Sequence, residues 1–317
     1  VSIDVYINCQ AVAFPECLQT VEASAAAGLT KTDALTLRAS GFGHHRVACA
    51  GASCDELARR AVGDLGSAIT GVTTIVYATV LPSNANLAHQ GAFEQSRDIR
   101  DVARYPASRL QADLDLGQAS VIGLTQQATT GMLGAIRIAR ALLVAEPSQS
   151  RILCVVADRV PPGALYEQSF SLLSDGASAC VVSREPGGYR LVANHAITIG
   201  ALLDASDDQI AGTHFGFCNR IITETLVVAG LSIQEIDWIV PQNTSPKVWQ
   251  ILARSLGFPL ERVVRWTVAD VGHVLGSDNL VNLQALEATG QLKSGDRLLL
   301  FMASFGMNWQ GLILEKV

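Results

Sequence analysis

Val121-Ile-Gly-Leu-Thr-Gln-Gln-Ala-Thr-Thr-Gly-Met-Leu-Gly-Ala-Ile-Arg-Ile-Ala-Arg-Ala-Leu-Leu143 passes from a short apolar run, through a polar and small-residue break, into a helical period. Met132, Ala135, Ile136, Ala139, Leu142 and Leu143 recur at the three-four spacing of a buried helix face. Small residues at the junction let a strand turn sharply into the helix. Such a turn presents a side chain at a helix N-terminus, where free N–H groups and the dipole favour developing negative charge. A nucleophile belongs there, and the chain offers Thr129. The plainer reading is that Thr129 or Thr130 caps the helix, worth about 1 kcal/mol.

Working outward, the same order of elements is met twice. Glu56–Leu65 reads as a helix leading to the strand Thr74–Val80, and Arg220–Ala229 as a helix leading to the strand Asp237–Val240. The helix at 129–143 precedes the strand Arg151–Ala157, as the helix Asp278–Thr289 precedes the strand Arg297–Ala303. Strands alternating with helices predict parallel sheets covered on both faces. Two such halves predict an α/β chain of five layers, α/β/α/β/α, with the site between them. The division is expected at 1–165 and 166–317, with a polar insertion at about 84–109 that supplies a lid or dimer contact. The segment Val160-Pro-Pro-Gly-Ala-Leu is expected to cross between the halves.

Composition narrows the function classes. Of 317 residues, 49% are hydrophobic and 16% charged, which suits a large core and excludes a disordered chain. The net charge of −6 and the lack of a broad basic stripe argue against nucleic-acid binding. No run of about 18 uncharged apolar residues is apparent, so no membrane span is expected. The seven cysteines lack metal-type spacing and are expected as free thiols in a reducing cytoplasm, with no metal site.

Four stretches in this order resemble the ketoacyl-acyl-carrier-protein synthase III group of the thiolase-like condensing enzymes. They are Thr129-Thr-Gly-Met, Ser174-Asp-Gly-Ala-Ser-Ala-Cys-Val-Val, Trp238-Ile-Val-Pro-Gln-Asn with Leu256-Gly-Phe-Pro, and Val271-Gly-His-Val-Leu-Gly-Ser-Asp-Asn with Ala303-Ser-Phe-Gly-Met-Asn-Trp. The resemblance implies a thiolase-like fold and an acyltransferase using a CoA or carrier-protein thioester, with no tightly bound cofactor. It also implies a homodimer and a place in fatty-acid or polyketide-type biosynthesis.

The family's cysteine falls on Thr129, or on Ala128 if the register slides by one; its histidine falls on Gln242, its asparagine on His273 and its oxyanion-hole glycine on Gly306. All three side-chain positions depart from the usual set. A threonine hydroxyl, unlike a cysteine thiol, needs an adjacent general base to attack. Gln242 and His273 still supply one carboxamide and one imidazole, as if the family pair had exchanged places, and Asp278 is expected to orient His273 or cap its helix. Arg46, Asn243, Lys247 and Arg254 are the candidates for holding the thioester arm. Gly43 stands where the family has a phosphate-holding arginine, and the adenine-stacking tryptophan falls near Ala34, which favours a carrier-protein donor. Lys247 and Arg254, with Arg262 and Arg265, form a basic cluster suited either to a solvated face or to an acidic carrier protein. His195 is expected to be structural. The alternative function is a catalytically silent homologue that partners an active condensing enzyme, the two forming a heterodimer.

Overall fold

Runs of β-branched and aliphatic residues build nine principal strands: β1 (Tyr6–Ala13), β2 (Thr74–Ala78), β3 (Ser120–Leu124), β4 (Arg151–Asp158), β5 (Gly176–Ser183), β6 (Tyr189–Thr198), β7 (Trp238–Val240), β8 (Arg297–Ala303) and β9 (Asn308–Lys316). The computed structural model describes residues 3–49, 51–88, 91–168, 171–305 and 307–317. Strand β2 is buried at all five positions, as a strand covered on both faces must be.

The strands lie in the order β7-β8-β9-β6-β1-β5-β4-β2-β3, and the join between β6 and β1 is a short pairing of Tyr6 and Ile7 with Arg190 and Tyr189. On either side of that join the pattern repeats. In the first half β1 and β5 are antiparallel, β5 and β4 antiparallel, and β4, β2 and β3 parallel. In the second, β6 and β9 are antiparallel, β9 and β8 antiparallel, β8 and β7 parallel, and Val263 bridges in parallel to Ile239 of β7. The duplication is therefore real in topology, but each half-sheet is mixed and not parallel as expected. The reason is connection length: the four residues between β8 and β9 are too few for a crossover, so the chain must return antiparallel.

Six helices cover the sheets: α1 (Cys54–Gly63), α2 (Pro106–Asp113), α3 (Gly131–Ala145), α4 (Asp207–Ala229), α5 (Pro246–Leu256) and α6 (Asp278–Ala288). Met132, Leu133 and Ile136 of α3 and Leu280, Leu283 and Leu286 of α6 share one core with both half-sheets. Leu57 and Val62 of α1 and Leu110 of α2 cover the outside of the first half, while Ile221 and Ile222 of α4 and Trp249 and Leu252 of α5 cover the second. The five expected layers result. Each buried Leu, Ile or Met side chain contributes about 1.5–3 kcal/mol. The window 128–145 is long and apolar enough to cross a membrane by composition alone, but 61% of it is buried within the protein.

Three expected boundaries move. Strand β5 lies beyond a division at 165/166 yet hydrogen-bonds to β1 and β4 of the first half. The expected crossover at 160–165 leads into that strand instead, through a hairpin that pairs Glu167–Gln168 with Ser171–Leu172. The insertion at 84–109 holds the short helix Ala92–Ser96 and ends inside α2, and the helix expected at 220–229 is the last part of the 23-residue α4.

Candidate active site

Both halves send a sharp turn toward the middle layer. In the first, a 3-10 turn at Ala128–Thr130 opens directly into α3; in the second, Leu275–Ser277 opens directly into α6. Each turn begins with a residue other than glycine in the left-handed region, Ala128 at φ 42° and Leu275 at φ 49°. Such a backbone costs a residue with a Cβ about 1–2 kcal/mol. Ala128 and Leu275 meet in one small apolar cluster with Val80, Val160, Tyr166 and Leu173. The apex of the first turn is thus Ala128, and Thr129 stands one residue into it.

Thr129 and Thr130 both donate their hydroxyl hydrogens to carbonyls: Thr129 Oγ1 to Ala303 O at 2.9 Å and Thr130 Oγ1 to Gln127 O at 2.6 Å. Neither side chain accepts a helix N–H, so the expected cap is not formed. The peptide of Ala303, at the end of β8, is held from both sides. Its oxygen receives Thr129 and its N–H donates to Gln242 Oε1 at 2.5 Å. That engages the Gln242 carboxamide through its oxygen and leaves its NH2 group as the donor of a side chain that lines the cavity.

His273 is built in by its backbone as well as its ring. Its N–H donates to Leu172 O at 2.7 Å and its carbonyl accepts Ser174 N–H at 2.8 Å. The preceding Gly272, at φ 60° and ψ −152°, occupies a conformation open only to glycine, and a Cβ there would lie 2.6 Å from Leu172 O. The ring Nδ1 hydrogen-bonds to Asp278 Oδ2. Asp278, fully buried, also accepts Val274 N–H on Oδ1 at 2.6 Å and Asn243 N–H on Oδ2 at 2.6 Å. A carboxylate bound by two backbone donors accepts from the imidazole too, so Nδ1 carries the hydrogen and Nε2 the lone pair. Asp278 orients the imidazole, one of the two roles expected of it.

Thr129, Gln242 and His273 line one cavity of about 340 Å³. Ser304, from the terminal stretch that resembles the family, shares its wall with Lys31, Gln168, Ser171 and His214, to which the sequence drew no attention. No motif surrounds those four, and the wall gathers segments from Lys31 to Trp309. The one local sign was His214 four residues before Cys218, a helical spacing that places Cys218 Sγ 3.5 Å from His214 Nε2. Burial holds the His214 imidazole below its ordinary pKa.

The candidate arm-binding residues lie elsewhere. Asn243 is fully buried behind the wall: its Nδ2 donates to Gly272 O at 2.7 Å, and its Oδ1 accepts from Asn282 Nδ2 at 2.9 Å. It braces the loops that carry Gln242 and His273 and is not among the described residues that line the cavity. Arg46 sits over the Phe14 ring at 5.5 Å, outside the cavity wall. Lys247 lines a second groove, which shares Gln168 and Ser171 with the cavity, and Arg254 is exposed further along α5. Gly306 lies outside the described residues. His45 is a core residue, bonded to Leu173 O at 2.7 Å and Ser24 Oγ at 2.6 Å, with its pKa lowered by burial. His195 pairs with Glu224 at 2.8 Å on the outer layer, as a structural residue should.

Residues 226–316 match the family described as 3-oxoacyl-[acyl-carrier-protein] synthase III, C terminal. The β-ketoacyl-[acyl-carrier-protein] synthase III of Alkalilimnicola ehrlichii is 26% identical over 279 residues, 82% of each chain, and that of Rhizorhabdus wittichii 24% over 277 residues, 80% of each. Among solved structures, the acyltransferase ChlB3 superposes with a TM-score of 0.81 at 21% identity, covering 99% of this chain and 98% of that one. The 3-oxoacyl-[acyl-carrier-protein] synthase III of Aquifex aeolicus gives 0.81 at 18%, covering 98% and 99%. These superpositions establish the shared fold, including its duplicated halves and five layers. With the match of the C-terminal region and the sequence relatives, they show that this chain is similar to ketoacyl-acyl-carrier-protein synthase III along most of its length and shares the fold of those enzymes.

Proposed function

We propose that this protein transfers an acyl group from a CoA or carrier-protein thioester to a carbon, oxygen or nitrogen acceptor, as part of fatty-acid or polyketide-type biosynthesis. The observation that carries the reading is the His273–Asp278 pair, whose geometry leaves Nε2 as a proton acceptor at a cavity beside the elbow. In the step envisaged, His273 Nε2 takes the acceptor's proton as the acceptor attacks the thioester carbonyl. The C–S bond breaks, and the departing thiolate takes that proton from His273. The Gln242 NH2 group and the Thr129 main-chain N–H would hold the carbonyl oxygen as charge develops.

Thr129 is assigned no covalent role, because its hydroxyl proton is already given to Ala303 O. Thr129→Ala is expected to keep thioester turnover within about tenfold and to cost about 1 kcal/mol of stability for the lost hydrogen bond. Intact-mass spectrometry should find no acyl adduct on the parent protein. An adduct on Thr129, or turnover abolished in Thr129→Ala, would overturn direct transfer. The same assay separates donors: charge reversal at Lys247 and Arg254 should slow the carrier-protein reaction at low salt and spare the CoA reaction. Equal slowing of both donors would remove the carrier-docking role of α5.

The missing thiol favours a second reading, a silent subunit that partners an active homologue. It predicts no turnover by the purified chain with any thioester, and turnover that appears on mixing with the partner.

The assembly we envisage is a homodimer paired along β3, a sheet edge beside which Tyr105 stands 55% exposed. Light scattering at micromolar concentration should return twice the 33.6 kDa of one chain. A mass of one chain sinks this assembly.

A further inference from the structure

Resting on the acyl-transfer reading, we infer that the acyl acceptor carries a carboxylate, which is held at the cavity rim by the Lys31 ammonium. Among the described residues that line the cavity, none is Asp or Glu. Lys31 is the one lysine or arginine among them, and it forms no ion pair within the described residues. Lys31 thus brings an ammonium to the cavity rim, while the nearest carboxylates stand behind the wall, Asp278 on the His273 ring and Glu167 on the backbone of segment 31–32.

Lys31 is not on a loose surface loop. Tyr166 N–H donates to Leu29 O at 2.8 Å. Glu167 accepts Lys31 N–H at 2.7 Å, Thr32 N–H at 2.9 Å and Thr32 Oγ1 at 2.5 Å. These four bonds tie segment 29–32 to the start of the hairpin that carries Gln168 and Ser171. They hold the Glu167 carboxylate on backbone and hydroxyl donors; its charge still acts on the Lys31 ammonium, but no ion pair forms between the two side chains among the described residues. Thr32, the next residue, already belongs to the neighbouring groove, so Lys31 stands where groove and cavity meet.

That position favours a carboxylate that survives the reaction. An ammonium paired with a carboxylate about to leave as carbon dioxide would stabilise the ground state and oppose its loss. A carboxylate on the acceptor feels no such conflict, because transfer leaves it intact. The substrate class that fits is a small hydroxy acid or amino acid. Its hydroxyl or amine is deprotonated by His273, its acyl product forms as the thioester C–S bond breaks, and its carboxylate remains at Lys31.

The test uses the full-length protein with propionyl and succinyl thioesters of N-acetylcysteamine, and with lactate and lactamide as acceptors. Binding is read by calorimetry and thiol release by initial rate. Lactate should bind at least fivefold tighter than lactamide. Lys31→Gln should erase that difference and Lys31→Arg should restore most of it. Equal binding of lactate and lactamide, no binding of either, or a preference that survives Lys31→Gln overturns the inference. So does a charge preference found only between succinyl and propionyl donors. Lactate binding that depends on Lys31 without any thiol release would instead overturn the transfer reading and leave the carboxylate site standing.

Discussion

Replacing His273 with alanine should lower thioester turnover by about 10²–10⁴-fold, the range expected when a positioned general base is removed. No other imidazole stands ready to replace it. His214 shares the cavity, but its Nε2 is turned to Cys218 and burial holds its imidazole below its ordinary pKa. Asp278→Asn should cause a loss of similar size by another route. Asp278 accepts three hydrogens, from His273, Val274 and Asn243. An asparagine has one oxygen and an NH2 group, so at least one of those donors then faces another donor. The imidazole is freed to take the wrong tautomer or to rotate, and the buried mismatch costs about 1–3 kcal/mol of stability. His273→Ala removes the ring but leaves both backbone donors on Asp278, so its stability should fall less than that of Asp278→Asn. Steady-state kinetics with urea denaturation of both variants distinguishes loss of chemistry from loss of fold. His273→Ala turnover within threefold of the parent would exclude His273 as the base.

The elements were legible in the sequence because burial imposes period. The 131–145 face, the strand at 151–158 and the paired helix–strand units all declared themselves through apolar spacing. Strand direction was not legible, since a buried strand carries the same apolar run whichever way it points. The threefold set of Asp278 contacts was only half legible: its spacing from His273 suggested a pair, while Asn243 N–H arrives from 35 residues away. Asn243 itself was misplaced for a physical reason. Next to Gln242 in sequence, its side chain points behind the wall and is spent on Gly272 O and Asn282. Lys31 and His214 left no motif because the cavity collects them from separate layers.

Substituting cysteine into the elbow should distinguish its two registers by an all-or-none change. Ala128→Cys is expected to gain one acyl mass per chain on incubation with an acetyl thioester, whereas Thr129→Cys gains none or reacts at least about tenfold more slowly. The left-handed backbone at 128 marks the apex of a strand-to-helix turn, the geometry that exposes a nucleophile above a sheet. A thiol there sits just before the first turn of α3, where the helix dipole favours the thiolate. Position 129 is already within the turn, and a side chain in the Thr129 rotamer points at Ala303 O, an acceptor that favours the protonated thiol. Both substitutions are small, so circular dichroism should show native folds and leave the adduct as the deciding measurement. Acylation of Thr129→Cys alone would return the family's cysteine position to 129. Acylation of Ala128→Cys alone places the lost nucleophile at 128. The strained Ala128 backbone is then an acyl-enzyme elbow retained without its thiol, beside a histidine–aspartate pair that still has a proton to move.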